Sequence, residues 1–122
     1  MAIIGLGTDI VEIARFKPSQ LNKLANRILT DSELAEFAAH KQPQRFLAKR
    51  WAAKEAAAKA VGTGIAQGVT FQDFCISNLT SGAPVLKISG TAEKMIGLPF
   101  KAHLSLSDEQ TYAVATVIIE RL

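Results

Sequence analysis

One cysteine in 122 residues excludes an internal disulfide, and with it the small secreted scaffolds that use cross-links in place of a core. Cys75 sits between Phe74 and Ile76 and reads as a buried structural thiol in a reducing, cytoplasmic setting. Long apolar runs are missing too. The stretch Ala113 to Ile119 falls far short of the roughly 20 residues that a membrane span needs. The opening Met1-Ala2-Ile3-Ile4-Gly5 carries no basic prelude and soon meets Asp9 and Glu12, so it does not read as a signal peptide. Aromatics make up only 7% of residues and are not interleaved with the basic ones, which argues against a single-strand nucleic-acid groove. A net charge of +3 is too mild to argue for nucleic acid on its own.

What is present is the balance of a folded protein, 48% hydrophobic and 20% charged, at a length suited to one domain over residues 1–122. Basic residues gather in two places. Arg15, Lys17, Lys23 and Arg27 lie near the start, and Arg45, Lys49, Arg50, Lys54 and Lys59 in the middle. Acidic proteins or phosphorylated small molecules are the partners such clusters suit.

Periodicity predicts a strand over residues 2–12, with Leu6, Thr8 and Ile10 facing one way and Gly5, Gly7 and Asp9 the other. Thr30-Asp31-Ser32-Glu33 has capping-box spacing and predicts a helix over 31–39. Pro43 opens a longer helix over about 43–61, which Gly62 and Gly64 stop. Beyond it, 71–78 and 84–89 predict a hairpin about Ser81-Gly82, and 91–96 a short helix. Residues 101–107 and 112–121 predict a second hairpin. Strand, helices, then strands is an α+β order. The last strand is apolar on both faces, so it is either central or packed on another subunit.

Three places carry chemistry. Asp9 interrupts an apolar run, and with Gly5 and Gly7 beside it something can approach the backbone closely. Asp9 is then either a ligand for a hard cation or a strand-end aspartate bonded to a nearby amide. Glu55 shares a helical stripe with Leu47, Trp51 and Ala58. It either faces inward, where it needs a metal or a partner, or forms an ordinary i,i+4 pair with Lys59. Two carboxylates, phosphate oxygens and water suit Mg²⁺, and Lys59 could reach the same phosphates. Gly62-Thr63-Gly64 offers either amides to a second phosphate or a plain helix cap. His103, Ser105 and Ser107 share one strand face, as part of a polar pocket or as a solvated surface. A hydrolase triad is excluded there, because strand neighbours cannot converge and no nucleophile elbow exists.

These pieces resemble a family. Gly5-Leu6-Gly7-Thr8-Asp9-Ile10-Val11-Glu12-Ile13 is similar to the N-terminal signature of the holo-acyl-carrier-protein synthases. Phe46 to Ala60, containing Trp51-Ala52-Ala53-Lys54-Glu55-Ala56-Ala57-Ala58-Lys59-Ala60, is similar to their W/F-x-x-K-E-A-x-x-K-A helix. His103-Leu104-Ser105-Leu106-Ser107 is similar to their late H-[VL]-S-[IL]-[ST] strand. Three motifs in order span essentially the whole chain. The stretch Arg15 to Gln20 is shorter than in many members, and Trp51 stands where phenylalanine is frequent.

The resemblance implies the 4′-phosphopantetheinyl transferase fold, a long central helix on an antiparallel sheet, assembled as a homotrimer with sites between subunits. It implies transfer of phosphopantetheine from coenzyme A to a serine of apo-acyl carrier protein, releasing adenosine 3′,5′-bisphosphate. Asp9 and Glu55 would bind Mg²⁺, and Glu55 and Lys59 would be catalytic. Arg50, Lys59, Gly64 and His103 would hold coenzyme A, and Arg15, Lys17, Lys23 and Arg27 would meet the acidic carrier. Two other readings compete: a non-catalytic basic module binding acidic carrier-like proteins, and a metal-dependent hydrolase of coenzyme A or nucleotides.

Overall fold

The computed structural model describes residues 1–122. Its frame is an antiparallel sheet of three strands in the order β1 (Ala2–Glu12), β5 (Tyr112–Arg121), β4 (Phe100–Asp108). β5 is thus central, which accounts for apolar residues on both of its sides. A second sheet is the hairpin of β2 (Phe74–Asn78) and β3 (Pro84–Ile88). Helices α1 (Leu21–Ile28), α2 (Asp31–Ala39), α3 (Pro43–Val61) and α4 (Gly90–Ile96) complete the chain. No helix is long and apolar enough to cross a membrane.

The core lies between α3 and the inner sheet face. Along β5, Ala113, Ala115, Val117 and Ile119 alternate inward and are at most 1% exposed. Opposite them α3 presents Ala52, Ala53, Ala56, Ala57 and Ala58, all fully buried. Alanine favours the helix and has no bulk, so helix and sheet approach to backbone contact. At Gly7 a Cβ would fall inside the Ala56 carbonyl oxygen, and at Gly5 inside that of Ala60. The glycine gap read from the sequence is therefore filled by α3 itself, not by a ligand.

The predicted strands and helices match closely, with two differences. Residues 71–73 form a 3₁₀ turn ahead of β2 rather than part of the strand. Helix α1 was not expected, although Leu21, Leu24, Ala25 and Ile28 recur at helical spacing and supply its buried face. Pro18 starts the 3₁₀ turn that leads into it.

The outer sheet face has no cover within the chain. Leu6, Thr8 and Ile10 stand beside Ile118, Thr116 and Val114, which stand beside His103, Ser105 and Ser107. Leu6 is 66% exposed and Ile10 62%. Leu104 and Leu106 point inward and pack against the core, as alternation requires.

Candidate functional site

Asp9 reaches α3 from the inner side of β1. Its Oδ1 accepts a 3.0 Å hydrogen bond from Lys59 Nζ, which also donates to the Thr8 carbonyl. Its other oxygen, Oδ2, is buried with no hydrogen-bond partner. Lys59 therefore pairs with Asp9 across the helix–strand seam and not with Glu55 one turn away. Lys59 is half-exposed whereas the Asp9 carboxylate is only 11% exposed, so the pair is screened from the lysine side alone.

Glu55 lies close enough to Asp9 for the two charges to oppose each other. Partial burial raises its pKa above the ordinary carboxylate value, Asp9 raises it further, and Lys59 and Arg15 pull against both. An orphaned buried carboxylate oxygen beside a second, proton-prone carboxylate is a donor set that a hard cation satisfies. No third His, Cys, Asp or Glu joins them, so phosphate oxygens and water would complete an octahedron.

Glu55 also borders a cavity of about 220 Å³ lined by Arg15, Arg27, Trp51, Leu24, Ile28 and neighbours. The Arg15 guanidinium lies 4.9 Å from the Trp51 ring centroid, and Phe16 meets the same ring edge-on. Of the four basic residues expected to meet an acidic partner, the structure brings Arg15 and Arg27 to this cavity. Lys17 and Lys23 are exposed and do not line it.

Arg50 is elsewhere. It is 4% exposed, stacks over Phe46 at 4.5 Å and bonds Glu36 and the Asn78 side chain. With His40, Arg45, Lys49, Asn78 and Asp108 it lines a second cavity of about 430 Å³. There Arg45 donates to Asp108 Oδ2 at 2.8 Å, and Lys49 lies 3.4 Å from Oδ1. Burial raises the Asp108 pKa, but the Arg45 hydrogen bond and Lys49 outweigh it and hold the carboxyl below its usual range. Arg45 and Lys49 were not singled out as site residues, yet together with Arg50 they make this cavity basic. Their i,i+4 spacing in a basic run was the available signal.

His103 lies on the opposite sheet face from Asp9, its Nε2 3.0 Å from Glu120 Oε1. Gly64 adopts φ 64° after α3. The amides of Gly62, Thr63 and Gly64 all donate back to the Ala58 or Lys59 carbonyls, so of the two readings the helix cap is the one realised. The space beside Gly64 is open. Cys75 is half-buried, not buried, because alternation along β2 turns it away from the face that buries Phe74 and Ile76, and its Sγ meets the Thr30 and Ser32 hydroxyls at 3.4 and 3.6 Å.

One chain thus carries three unjoined sets: carboxylates and Lys59 at one seam, a basic cavity beside α3, and His103 on the outer sheet face. The class of this α+β chain is given by residues 5–117, which match the family model of the 4′-phosphopantetheinyl transferase superfamily. A holo-[acyl-carrier-protein] synthase of Vibrio parahaemolyticus is 57% identical, covering 98% of this chain and 99% of its own. A holo-(acyl-carrier-protein) synthase of Bacillus anthracis, solved in complex with CoA (3′,5′-ADP), superposes with a TM-score of 0.86 at 39% identity over 100% of both chains. That of Neisseria meningitidis gives 0.86 at 40% identity over 98% and 99%. This chain belongs to the holo-acyl-carrier-protein synthases, enzymes of the phosphopantetheinyl transferase superfamily.

Proposed function

We propose that this protein transfers the 4′-phosphopantetheine group of coenzyme A to a serine hydroxyl of an apo-acyl carrier protein, with Mg²⁺ held by Asp9 and Glu55. The observation that carries the metal assignment is the buried, unpartnered Asp9 Oδ2 beside Glu55. The relatives' names and the coenzyme complex of the Bacillus anthracis protein support the substrates.

When bound, the cation draws charge from the coenzyme pyrophosphate and so lowers the barrier to its cleavage. Lys59 Nζ lies beside the same carboxylates and neutralises the phosphoryl oxygens as charge spreads over them. The serine oxygen forms a bond to the phosphorus that bears pantetheine. The bond from that phosphorus to the bridging oxygen breaks, and adenosine 3′,5′-bisphosphate leaves with the electron pair. Glu55, directly or through a water, accepts the serine proton.

Arg15 and Arg27 border the approach and attract an acidic carrier, with Lys17 and Lys23 adding long-range charge. The basic cavity of Arg45, Lys49 and Arg50 suits the nucleotide phosphates of coenzyme A, and His103, on the outer sheet face, would join it only across a subunit boundary. The open space at Gly64 admits the coenzyme closely. In one chain these groups do not converge on Asp9, whereas the bare apolar face of Leu6, Ile10 and Ile118 next to His103 invites a second copy. A homotrimer whose neighbouring subunits each supply one set completes the site. The unpaired Cys75 fits a reducing, cytoplasmic compartment.

The test is intact-mass spectrometry of an apo-acyl carrier protein incubated with this protein, coenzyme A and Mg²⁺. The carrier should gain one phosphopantetheine, and lose that gain with EDTA. Turnover of coenzyme A without a modified carrier would instead favour a hydrolase, and tight carrier binding without turnover a docking module.

A further inference from the structure

The molecule buries three charged side chains, and none of them lies in the proposed chemistry at the metal site. Glu33, Lys54 and Arg50 are 0%, 0% and 4% exposed. Lys54 Nζ donates to Glu33 Oε1 at 2.6 Å and to the backbone carbonyl of Ile28 at 2.8 Å. Glu33 uses both oxygens fully. Oε1 also accepts from the Thr30 amide and hydroxyl, closing the α2 capping box, and Oε2 accepts from the Ile76 amide on β2 with Arg50 Nε 3.7 Å away. Four elements therefore meet at one charge cluster: the end of α1, the start of α2, the middle of α3 and the outer edge of β2.

Such a cluster is weak evidence for net stability, because desolvation offsets much of the attraction. Burial lowers the Lys54 pKa while Glu33 opposes the shift. What the cluster does supply is direction. Ile28 is the last residue of α1, where helix carbonyls lack intrahelical donors, and Lys54 Nζ is the donor it receives. Ile28 and Arg27 line the cavity beside Glu55, and Lys54 is the residue before Glu55 on α3. One buried ammonium thus ties the helix that presents Arg27 to the helix that presents Glu55.

We propose that Lys54, held by Glu33, is a positioning residue that seats α1 against α3 and thereby sets the carrier-docking side of the site relative to Glu55. The inference rests on the proposed transfer to a carrier for its kinetic readout, but not for its structural one. Trp51 is the single tryptophan and lines the same cavity as Leu24, Arg27 and Ile28, so its emission reports the seat of α1 directly.

The experiment uses the full-length protein as K54M and as the charge-neutral pair E33Q/K54M, which leaves no unpartnered buried carboxylate. In both, KM for the carrier should rise tenfold or more, while KM for coenzyme A and kcat at saturating carrier stay within threefold. Trp51 emission should shift to the red and become more open to acrylamide, and α1 amides should exchange faster relative to those of α4. An unchanged carrier KM with unchanged Trp51 emission would overturn the proposal. So would a uniform loss of all kinetic constants with Trp51 unmoved, or failure of both variants to fold, each of which makes Lys54 a purely structural residue. If the wild-type protein modifies no carrier, the proposed function falls, and the fluorescence and exchange measurements still decide whether Lys54 seats α1.

Discussion

Gly7→Ala probes the spacing on which the carboxylate pair depends. The added methyl would lie inside the Ala56 carbonyl oxygen and 2.8 Å from the Ala60 amide nitrogen. Both are main-chain atoms of a buried helix, so no rotamer change relieves the clash. β1 and α3 must part by about 1 Å, which forfeits a quarter to a half of the contact energy of the atoms along the seam. Overpacking of this kind costs about 1–3 kcal/mol, and the stiffer unfolded chain returns about 0.4–1 kcal/mol. A net loss of about 1–2 kcal/mol corresponds to a fall in thermal midpoint of about 4–8 °C for a chain of this size. Circular dichroism at 222 nm reads the melt directly. Asp9 lies two residues along the same face and Glu55 adjoins Ala56, so the carboxylates should separate as well. Carrier modification should therefore drop at least tenfold at temperatures where the variant is fully folded. A midpoint within 2 °C of the wild type and full activity would refute the reasoning, since the clash would then have been absorbed without moving the seam.

Other outcomes follow from the same geometry. Asp9→Asn should abolish the Mg²⁺-dependent gain of carrier mass by a hundredfold or more, and it should weaken Mg²⁺ binding measured by calorimetry. Lys59→Met should lower kcat at least tenfold and lower the unfolding free energy by about 1–3 kcal/mol in chemical denaturation, because the mostly buried Asp9 carboxylate loses its partner. Glu55 has a raised pKa, so Mg²⁺ affinity should fall as pH drops through that raised value, and Glu55→Gln should flatten this limb. Without metal the sign reverses: Glu55 favours folding below the ordinary carboxylate range, and that contribution is lost as pH rises through its raised pKa. The stability difference between wild type and Glu55→Gln should accordingly widen with pH and close when Mg²⁺ is added. Ile10→Asp places a charge in the bare sheet face, and it should leave a folded species that light scattering shows as dissociated and inactive.

Strand and helix boundaries were legible because alternation, the Thr30–Glu33 capping box and Gly62 each act locally. α1 was missed for the opposite reason: its polar face is basic and short, and the charge drew attention away from the spacing of Leu21, Leu24, Ala25 and Ile28. Asp9, Glu55 and Lys59 could be named from sequence, but not their pairing. The i,i+4 rule favoured Glu55 with Lys59, whereas the close β1–α3 contact delivers Asp9 to Lys59 instead. Lys54 and Arg50 read as members of a basic cluster suited to acidic proteins or phosphates. Their burial depends on Glu33, which is distant in sequence, and on an α3 buried nearly all round. Arg50 lies apart from Asp9 because it precedes Lys59 by roughly 14 Å of helix and turns to Glu33 and Glu36.

The strand that carries Asp9 is also a hazard. β1 is the outermost strand of its sheet, eleven residues long, with Ile3, Ile4, Leu6 and Ile10 bare to solvent. An open edge with an apolar side is a template for cross-strand aggregation. Two devices blunt it: a register slip between Ile3 and Gly5, and the exposed charge of Glu12. Glu12 thus guards solubility, and its replacement by an apolar residue would leave that edge bare during the interval between folding and assembly. Synthesis that outruns assembly should then deliver the protein into inclusion bodies.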